Sequence, residues 1–239
     1  MSYFDSDSWS IRSIPIQRSG RRKRIAIQLQ VNGSLKILAP ATASGADLQH
    51  ALDKFRPWLQ KKISILAALP ENERCFKFVF DIGQSFFLFG KLYKLHYLQT
   101  AGARQITFHD DALWSSVSDP QQLPALFEAF YRQQARTLIS DRLAVYTSQF
   151  NINIGKLKIT GARRRFGSCS SAGNLNFSYL LAMYPPELID LVILHELAHR
   201  QVMNHSRRFY QVLAGYLPDH QSRSRELKVW SRKLSAYPQ

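Results

Sequence analysis

Two patterns of hydrophobic and polar residues divide the chain near Asp119. Before this point, short stretches in which the two kinds of residue alternate predict β-strands. After it, hydrophobic residues recur every three to four positions over longer stretches, which predicts helices. We therefore expect an α+β fold with two domains, a β-rich domain over residues 9–119 and a second domain over residues 120–239.

The first domain is predicted to contain strands around one helix. Residues 9–40 predict a β-hairpin that turns at Asn32-Gly33, because this dipeptide tolerates positive φ angles. A helix is predicted from Ala46 to Leu69 with Ser44 as its N-cap. Pro57 interrupts the helical pattern, so it is expected to kink this helix or to divide it in two.

Further strands are predicted from Cys75 to Tyr97 and in a pair that turns at Asp110-Asp111. A long helix is expected from Pro124 to Phe150, followed by the short strand KLKIT. A hairpin turning at Ser171 to Gly173 then leads into the outgoing strand LNFSYLL. Pro185-Pro186 is expected to end that strand and to open the next helix.

The sequence HELAH at residues 195–199 is the strongest indication of chemistry. His195 and His199 are four residues apart, so a helix places both on one face, where both can bind the same Zn²⁺. Glu196 between them is typical of the general base that accepts a proton from a metal-activated water. A solvated helix face with this composition is the ordinary alternative.

A catalytic zinc needs a third protein ligand, and His205 is the favoured candidate. On a continuous helix His205 would be rotated by roughly 120° from the first two histidines and displaced by about 9 Å along the axis. We therefore expect the helix to end near Met203, with Asn204 in the left-handed conformation. Ser206 is then placed to cap the next helix, RRFYQVLAGYL.

Two other positions remain candidates for the third ligand. Glu226 is one, and His220 beside Asp219 is the other. Both follow the next helix and Pro218, so local geometry does not place them near His195 and His199. Capping or surface roles are the ordinary alternative for both and for His205.

The composition predicts a folded core and argues against a disordered chain, because 45% of the 239 residues are hydrophobic and 12% are aromatic. Lys and Arg number 32 against 17 Asp and Glu, a formal charge of +15. Such an excess suits a nucleic acid, an anionic surface or a polyanionic substrate, and it also serves solubility alone. The charge therefore leaves the kind of partner open.

Cysteine usage and hydropathy indicate a cytoplasmic protein without a membrane segment. Cys75 and Cys169 are far apart in the chain, which argues against a disulfide scaffold and fits a reducing compartment. No apolar run has the length of a signal-peptide core at the N-terminus or of a membrane span elsewhere.

The chain resembles the bacterial YgjP-like metal-dependent hydrolases, an M48-type family with a zincin core similar to that of SprT-like and WLM proteases. The resemblance extends from the hairpin at residues 9–40 to Leu227. Its motifs follow in order: Phe166, Gly167, Ser168, Cys169; Leu175, Asn176, Phe177; Pro185, Pro186; His195 to His199; Asn204, His205; Phe209, Tyr210. Aromatic residues stand at Phe166, Phe177 and Tyr210 where the family commonly has tryptophan or another aromatic.

The resemblance implies a zincin-like second domain, in which a small sheet packs on the helix that carries HELAH. It implies His195, His199 and His205 as zinc ligands and Glu196 as general base. The function that follows is a zinc-dependent metallopeptidase acting on a peptide or protein. The segment Asn174 to Leu181 is either a core strand or an edge strand on which an extended peptide adds as a further strand.

Three other functions are considered. Proteins resembling this one have been assigned a UTP pyrophosphatase activity, which Arg163, Arg164, Arg165, Arg207 and Arg208 would suit, although a histidine-rich site is poor for magnesium. A DNA-associated protease of the SprT-like kind has only the net charge as support. A structural zinc domain would require a fourth ligand, for which Cys169 is the candidate. The sequence leaves the substrate and the oligomeric state open.

Overall fold

The computed structural model of the protein describes residues 11, 13–29, 35–67, 78–99 and 102–235. The strands are β1 (Ile16–Ser19), β2 (Ala26–Leu29), β3 (Leu35–Pro40), β4 (Ser85–Leu88), β5 (Lys91–Tyr97), β6 (Ile106–His109), β7 (Ala112–Ser115), β8 (Leu157–Thr160), β9 (Gly167–Cys169) and β10 (Leu175–Ser178). The helices are α1 (Gly45–Ala67), α2 (Leu123–Gln149), α3 (Pro186–Ala198), α4 (Arg207–Tyr216) and α5 (His220–Lys233), with a 3-10 helix at Tyr179–Met183.

The chain divides into two compact units, Met1–Lys77 with Val229–Gln239, and Phe78–Lys228. Helices and strands occur in both units, which confirms the α+β class. The domains predicted over residues 9–119 and 120–239 stay a prediction. Among the described helices, none combines the length and hydropathy that a bilayer crossing requires. The cytoplasmic location also stays a prediction.

In the first unit, three strands in the order β1-β3-β2 pack with α1 around a hydrophobic core. The antiparallel pairing of β2 with β3 confirms the predicted hairpin, whose turn at Asn32-Gly33 lies outside the described residues. Strand β1 pairs in parallel with β3 and was not distinguished in the sequence. The core side chains that α1 supplies, Leu48, Leu52 and Leu59, recur at the helical spacing seen in the sequence.

The start of α1 is closed by reciprocal hydrogen bonds. The Asp47 N–H donates to Ser44 Oγ at 3.2 Å, and the Ser44 N–H donates to Asp47 Oδ2 at 2.8 Å. The prediction of Ser44 as N-cap is thus confirmed, and Asp47 completes a capping box. Pro57 lies inside a single continuous helix, so the predicted division in two is wrong.

The second unit begins with a sheet in the order β4-β5-β7-β6. Its two hairpins turn at Phe89-Gly90 and at Asp110-Asp111, and all four residues have positive φ, as two-residue turns of this kind require. The Asp110-Asp111 turn is confirmed. In the strand region predicted from Cys75, residues 75–77 lie outside the described chain, Phe78, Val79 and Phe80 are not in a strand, and β4 begins at Ser85.

The remaining strands form a small sheet in the order β8-β10-β9. Strand β10 pairs in parallel with β8 and antiparallel with β9, which confirms the predicted hairpin at Ser171 to Gly173. The predicted strand LNFSYLL is wrong in its second half, because Tyr179–Met183 forms a 3-10 helix packed against α2. Since β10 is the central strand, the core-strand alternative for Asn174 to Leu181 is confirmed and the edge-strand alternative is wrong.

Candidate metal centre

Helix α3 carries His195 and Glu196 into the interior of the second unit. Pro186 occupies its first turn, as predicted, because a proline there removes an N–H that has no partner within the helix. Ten of its 13 residues are buried, so it is covered on all sides by its neighbours, among them α2, α4 and β9. A helix held this way positions its side chains rigidly.

The break after α3 comes earlier than the sequence predicted. The helix ends at Ala198 with His199 as its C-cap, not near Met203. A tight turn follows, in which the N–H groups of Arg200 and Gln201 donate to the carbonyls of Leu197 and Ala198 at 2.9 and 3.0 Å. Four non-glycine residues of the described chain have positive φ, and Asn204 is not among them, so its predicted left-handed conformation is wrong.

His205 returns to the other two histidines through this turn. Its Nε2 lies 3.0 Å from His195 Nε2. One nitrogen from each of the three rings lies within 4.8 Å of the others. His199 is buried, His195 is partly buried and His205 is exposed, so the cluster opens to solvent on the side of His205. The structure thus brings together the three histidines predicted as metal ligands.

Phe209 of α4 supports the three imidazole rings. It is fully buried, and its ring centroid lies 4.9, 4.6 and 4.8 Å from those of His195, His199 and His205. Ser206 occupies the N-cap position of α4 with extended backbone, as predicted, but its side chain makes no capping hydrogen bond. Packing on Phe209, and not capping by Ser206, therefore anchors the end of the turn.

Two of the three histidines, His195 and His199, are favoured in the neutral form, which is the form that binds metal. Burial and the neighbouring His199 and His205 lower the pKa of His195 to about 4. Burial also lowers the pKa of His199, whose Nδ1 lies 3.0 Å from the Val202 carbonyl oxygen. If Nδ1 donates its proton to that carbonyl, Nε2 keeps a free lone pair. Three imidazoles with converging nitrogens fit a divalent metal ion of borderline softness.

Glu196 lies in the interior, on the same helix as His195. It is buried, and its Oε2 has no hydrogen-bond partner among the described residues. Burial raises its pKa to about 7, against the opposing effect of the Arg165 guanidinium. A cation bound nearby would lower this pKa again, since it favours the ionised carboxylate. Glu196 Oε2 thus has no protein partner among the described residues, and a bound cation is the kind of partner that a metal site would supply.

Comparison with known families identifies the chain. The family described as YgjP-like, metallopeptidase domain, matches residues 23–229. The protein belongs to the YgjP-like metallopeptidases. The resemblance noted in the sequence is thereby confirmed, and with it a metal-dependent hydrolase of α+β fold and zincin-like kind.

Two other comparisons give little further information about this YgjP-like protein. No curated protein matches it. Among solved structures, it is similar to the metallopeptidase zymogen jannalysin of Methanocaldococcus jannaschii, with 26% sequence identity and a TM-score of 0.34. The match covers 39% of this chain and 95% of jannalysin.

The alternative ligands lie outside the histidine cluster, which contains no other His, Cys, Asp or Glu of the described chain. Asp219 pairs with Arg223 at 2.8 Å, and the buried His220 stacks on Tyr210. Glu226 is likewise not in the cluster. Burial raises the pKa of the Cys169 thiol, whose Sγ lies 3.4 Å from the Ser170 carbonyl oxygen. A closed four-ligand site thus lacks its fourth ligand among the described residues.

Two residues of the site, Gly167 and Phe209, have contacts that the sequence did not predict. Gly167 of β9 passes so close to Glu196 that a Cβ there would lie 2.7 Å from Oε1. Phe209 forms the floor of the histidine cluster. Both belong to the motifs that carry the family resemblance, so a signal was present, but only the tertiary structure shows what each residue contacts.

Two further contacts fix the ends of α3. Arg200 donates from Nε to the Asn153 carbonyl at 3.1 Å and from Nη1 to the Ser171 carbonyl at 3.1 Å, which ties the turn after α3 to the β9-β10 hairpin. Near the start of α3, Asp190 lies 3.5 Å from Arg142 of α2. These contacts hold the helix in place relative to the sheet.

Proposed function

We propose that this protein is a zinc-dependent metallopeptidase in which His195, His199 and His205 bind the metal and Glu196 is the general base. The observation that carries the proposal is the convergence of three imidazole nitrogens within 4.8 Å of one another, with the buried Glu196 carboxylate on the same helix. Membership of a metallopeptidase family supports a divalent metal at this position.

The donor set favours zinc over magnesium. Magnesium prefers carboxylate and water oxygens in octahedral geometry, whereas zinc accepts three histidines and keeps one position open for catalysis. When bound, zinc lowers the pKa of a water molecule and polarises the substrate carbonyl. This preference is also the physical reason for ranking the metallopeptidase above the UTP pyrophosphatase.

Glu196 is suited to moving a proton during hydrolysis. Its Oε2 accepts a proton from the attacking water and then donates it to the amine that leaves. The buried position excludes competing hydrogen bonds, since no described residue donates to Oε2. Gly167 lets β9 approach this carboxylate closely, which limits the orientations that the Glu196 side chain can take.

The free edge of β9 is suited to hold an extended peptide. In the ladder with β10, the Ser178 N–H donates to the Phe166 carbonyl at 2.8 Å and the Ser170 N–H donates to the Asn174 carbonyl at 3.0 Å. Because such pairs alternate along an antiparallel ladder, the peptide groups of Gly167 and Cys169 point to the opposite edge. No other strand of the described chain pairs there. A substrate can add at this edge, beside Glu196.

The basic residues considered for the other functions are exposed. Arg163, Arg164 and Arg165 lie before β9, and Arg207 and Arg208 lie at the start of α4. Their exposure is compatible with a phosphate-bearing partner but does not distinguish one from ordinary surface charge. The UTP pyrophosphatase and the DNA-associated protease therefore stay predictions.

The experiment that tests the proposal compares the wild type with Glu196→Gln and His205→Ala. Zinc content is measured by elemental analysis, and hydrolysis is assayed on denatured protein, on peptide libraries and on UTP. We expect zinc and peptide hydrolysis in the wild type, zinc without hydrolysis in Glu196→Gln, and little zinc in His205→Ala. A matched histidine variant far from the cluster in sequence, His109→Ala, should keep both. Wild-type rates in Glu196→Gln would refute the proposed mechanism.

A further inference from the structure

A small polar pocket lies beside β9. Its volume is about 170 Å³. Six polar side chains line it: Lys158, Thr160, Arg165, Ser168, Asn176 and Ser178. No Asp or Glu of the described chain is among the lining residues, although one of the two cations, Arg165, also acts on the Glu196 carboxylate.

The register of the small sheet places this pocket on the face turned away from Glu196. Asn176 pairs with Lys158 on one side and with Ser168 on the other, so these three side chains project to the same face. A side chain at Gly167, one residue before Ser168, would instead point at Glu196. The two faces of β9 thus serve different purposes, one covering the general base and the other lining the pocket.

The hydrogen bonds within the pocket leave several donors unused. Ser178 Oγ donates to the Ala162 carbonyl at 2.6 Å, and Thr160 Oγ1 donates to the Phe177 carbonyl at 3.3 Å, so both hydroxyl protons are engaged. Asn176 Nδ2 donates to Ser168 Oγ at 3.2 Å. As Ser168 accepts in this contact, its own hydroxyl proton remains available.

The two cations of the pocket are also available. Among the ion pairs of the described residues, none involves Lys158 or Arg165. Together with the Ser168 hydroxyl and the second N–H of the Asn176 amide, they supply four groups that can donate hydrogen bonds. A set of donors that includes two cations, with no carboxylate among the residues that line the pocket, is complementary to a single anionic group.

We infer that this pocket receives a carboxylate side chain of the peptide substrate and makes the enzyme select an acidic residue. A peptide paired with Gly167 and Cys169 places the residue between those two pairs opposite Ser168. Because side chains alternate between the faces of a sheet, that residue projects to the pocket's face, and its two neighbours project toward Glu196. The inference rests on the proposed peptidase function and adds the class of side chain that is recognised.

Phosphate has the same complementarity to these donors as carboxylate, so the test must separate the two. The kinetic arm uses peptides that differ only in Glu, Gln or Lys, scanned over the positions around the cleaved bond. The binding arm uses the Glu196→Gln protein and measures its affinity for the same peptides, for inorganic phosphate and for UTP. The binding arm does not require hydrolysis, so it stays informative if peptidase activity is not found.

Lys158 is the residue to change, because it lines the pocket two strands from the free edge of β9, whereas Arg165 also influences Glu196. We expect the wild type to prefer Glu over Gln in kcat/KM by about fivefold, as for a charge-assisted hydrogen bond open to solvent. Lys158→Ala should lower this ratio, since Arg165 remains, and Lys158→Glu should shift the preference to Lys. Lys156→Glu, an exposed residue two positions earlier that does not line the pocket, should keep the preference for Glu.

The outcomes separate the two proposals. A preference for Glu that reverses in Lys158→Glu and persists in Lys156→Glu supports the carboxylate pocket. If the wild type cleaves no peptide, the peptidase proposal fails, while Lys158-dependent binding of the Glu peptide to Glu196→Gln still supports the pocket. Equal treatment of Glu and Gln peptides in both arms overturns the inference, as does Lys158-dependent binding of phosphate or UTP alone.

Discussion

Gly167 of β9 and Glu196 of α3 lie so close together that there is no room for a side chain at position 167. A Cβ built on Gly167 would lie 2.7 Å from Glu196 Oε1 and 2.8 Å from its Cγ. Glu196 is buried, so its carboxylate has little space into which it can move. A glycine at this position therefore sets the distance between the strand edge and the Glu196 carboxylate.

We expect Gly167→Ala to reduce kcat by about 100-fold, because displacement of a catalytic group by about 1 Å is enough for such a loss. Zinc content should stay at the wild-type level, since Gly167 is not among the three ligand candidates. Gly215→Ala in α4 is the control, because a Cβ there meets no atom within 4 Å. Wild-type kcat in Gly167→Ala would show that the close approach does not orient Glu196.

Removal of the metal should lower stability without unfolding the protein. The three histidines are held by α3, by the turn that follows it and by the buried Phe209 ring, so the hydrophobic core should form without zinc. Zinc at a free concentration 100 times its Kd should stabilise the wild type by about 2.7 kcal/mol. Thermal melts with zinc and with a chelator measure this difference, which should disappear in His205→Ala. A chelated wild type without a cooperative transition would contradict a preformed site.

Truncation of Phe209 should affect both stability and metal binding. This ring is fully buried and contacts all three histidines, so Phe209→Ala should cost about 3–5 kcal/mol in the free energy of unfolding. The neighbouring Tyr210 is 47% exposed, and Tyr210→Ala should cost far less. Urea denaturation gives both values. If Phe209→Leu is well folded but binds zinc as tightly as the wild type, the ring does not position the imidazoles.

The free energy of unfolding should depend on pH because of the Asp190 carboxyl. Burial raises its pKa above the ordinary value despite the opposing charge of Arg142 at 3.5 Å. A carboxyl whose pKa is higher in the folded protein contributes stability that is present below the unfolded pKa of about 3.9 and is lost as pH rises through the folded pKa. Asp190→Asn does not titrate, so its stability relative to the wild type should increase over that range.

Chemical denaturation of the wild type and Asp190→Asn at several pH values between about 4 and 7 measures this effect. Asp141→Asn is a matched control on α2, because no ion pair of the described residues involves Asp141. If the wild type instead gains stability relative to Asp190→Asn as the pH rises, the ion pair with Arg142 outweighs burial in its effect on the Asp190 pKa.

Elements with local causes were foreseen from the sequence. The turn at Asp110-Asp111, the capping by Ser44 and the start of α3 at Pro186 each depend on a few neighbouring residues. Where a feature depends on distant residues, the expectation was wrong. The predicted strand LNFSYLL is ended early by the 3-10 helix, and the choice between a core strand and an edge strand for Asn174 to Leu181 was decided only by β8 and β9 on either side of β10.

The sequence by itself determined the class of this protein, because the order of its motifs identifies the metallopeptidase family. Helical periodicity alone places His195 and His199 on one face, since they are four residues apart. Only the tertiary structure decided how His205 reaches the other histidines. The turn begins at His199 and not at Asn204, since it is set by packing on Phe209 and by the hydrogen bonds after Ala198. The approach of Gly167 to Glu196 and the pairing of Lys158 with Asn176 are likewise contacts across long stretches of chain, which no local pattern encodes.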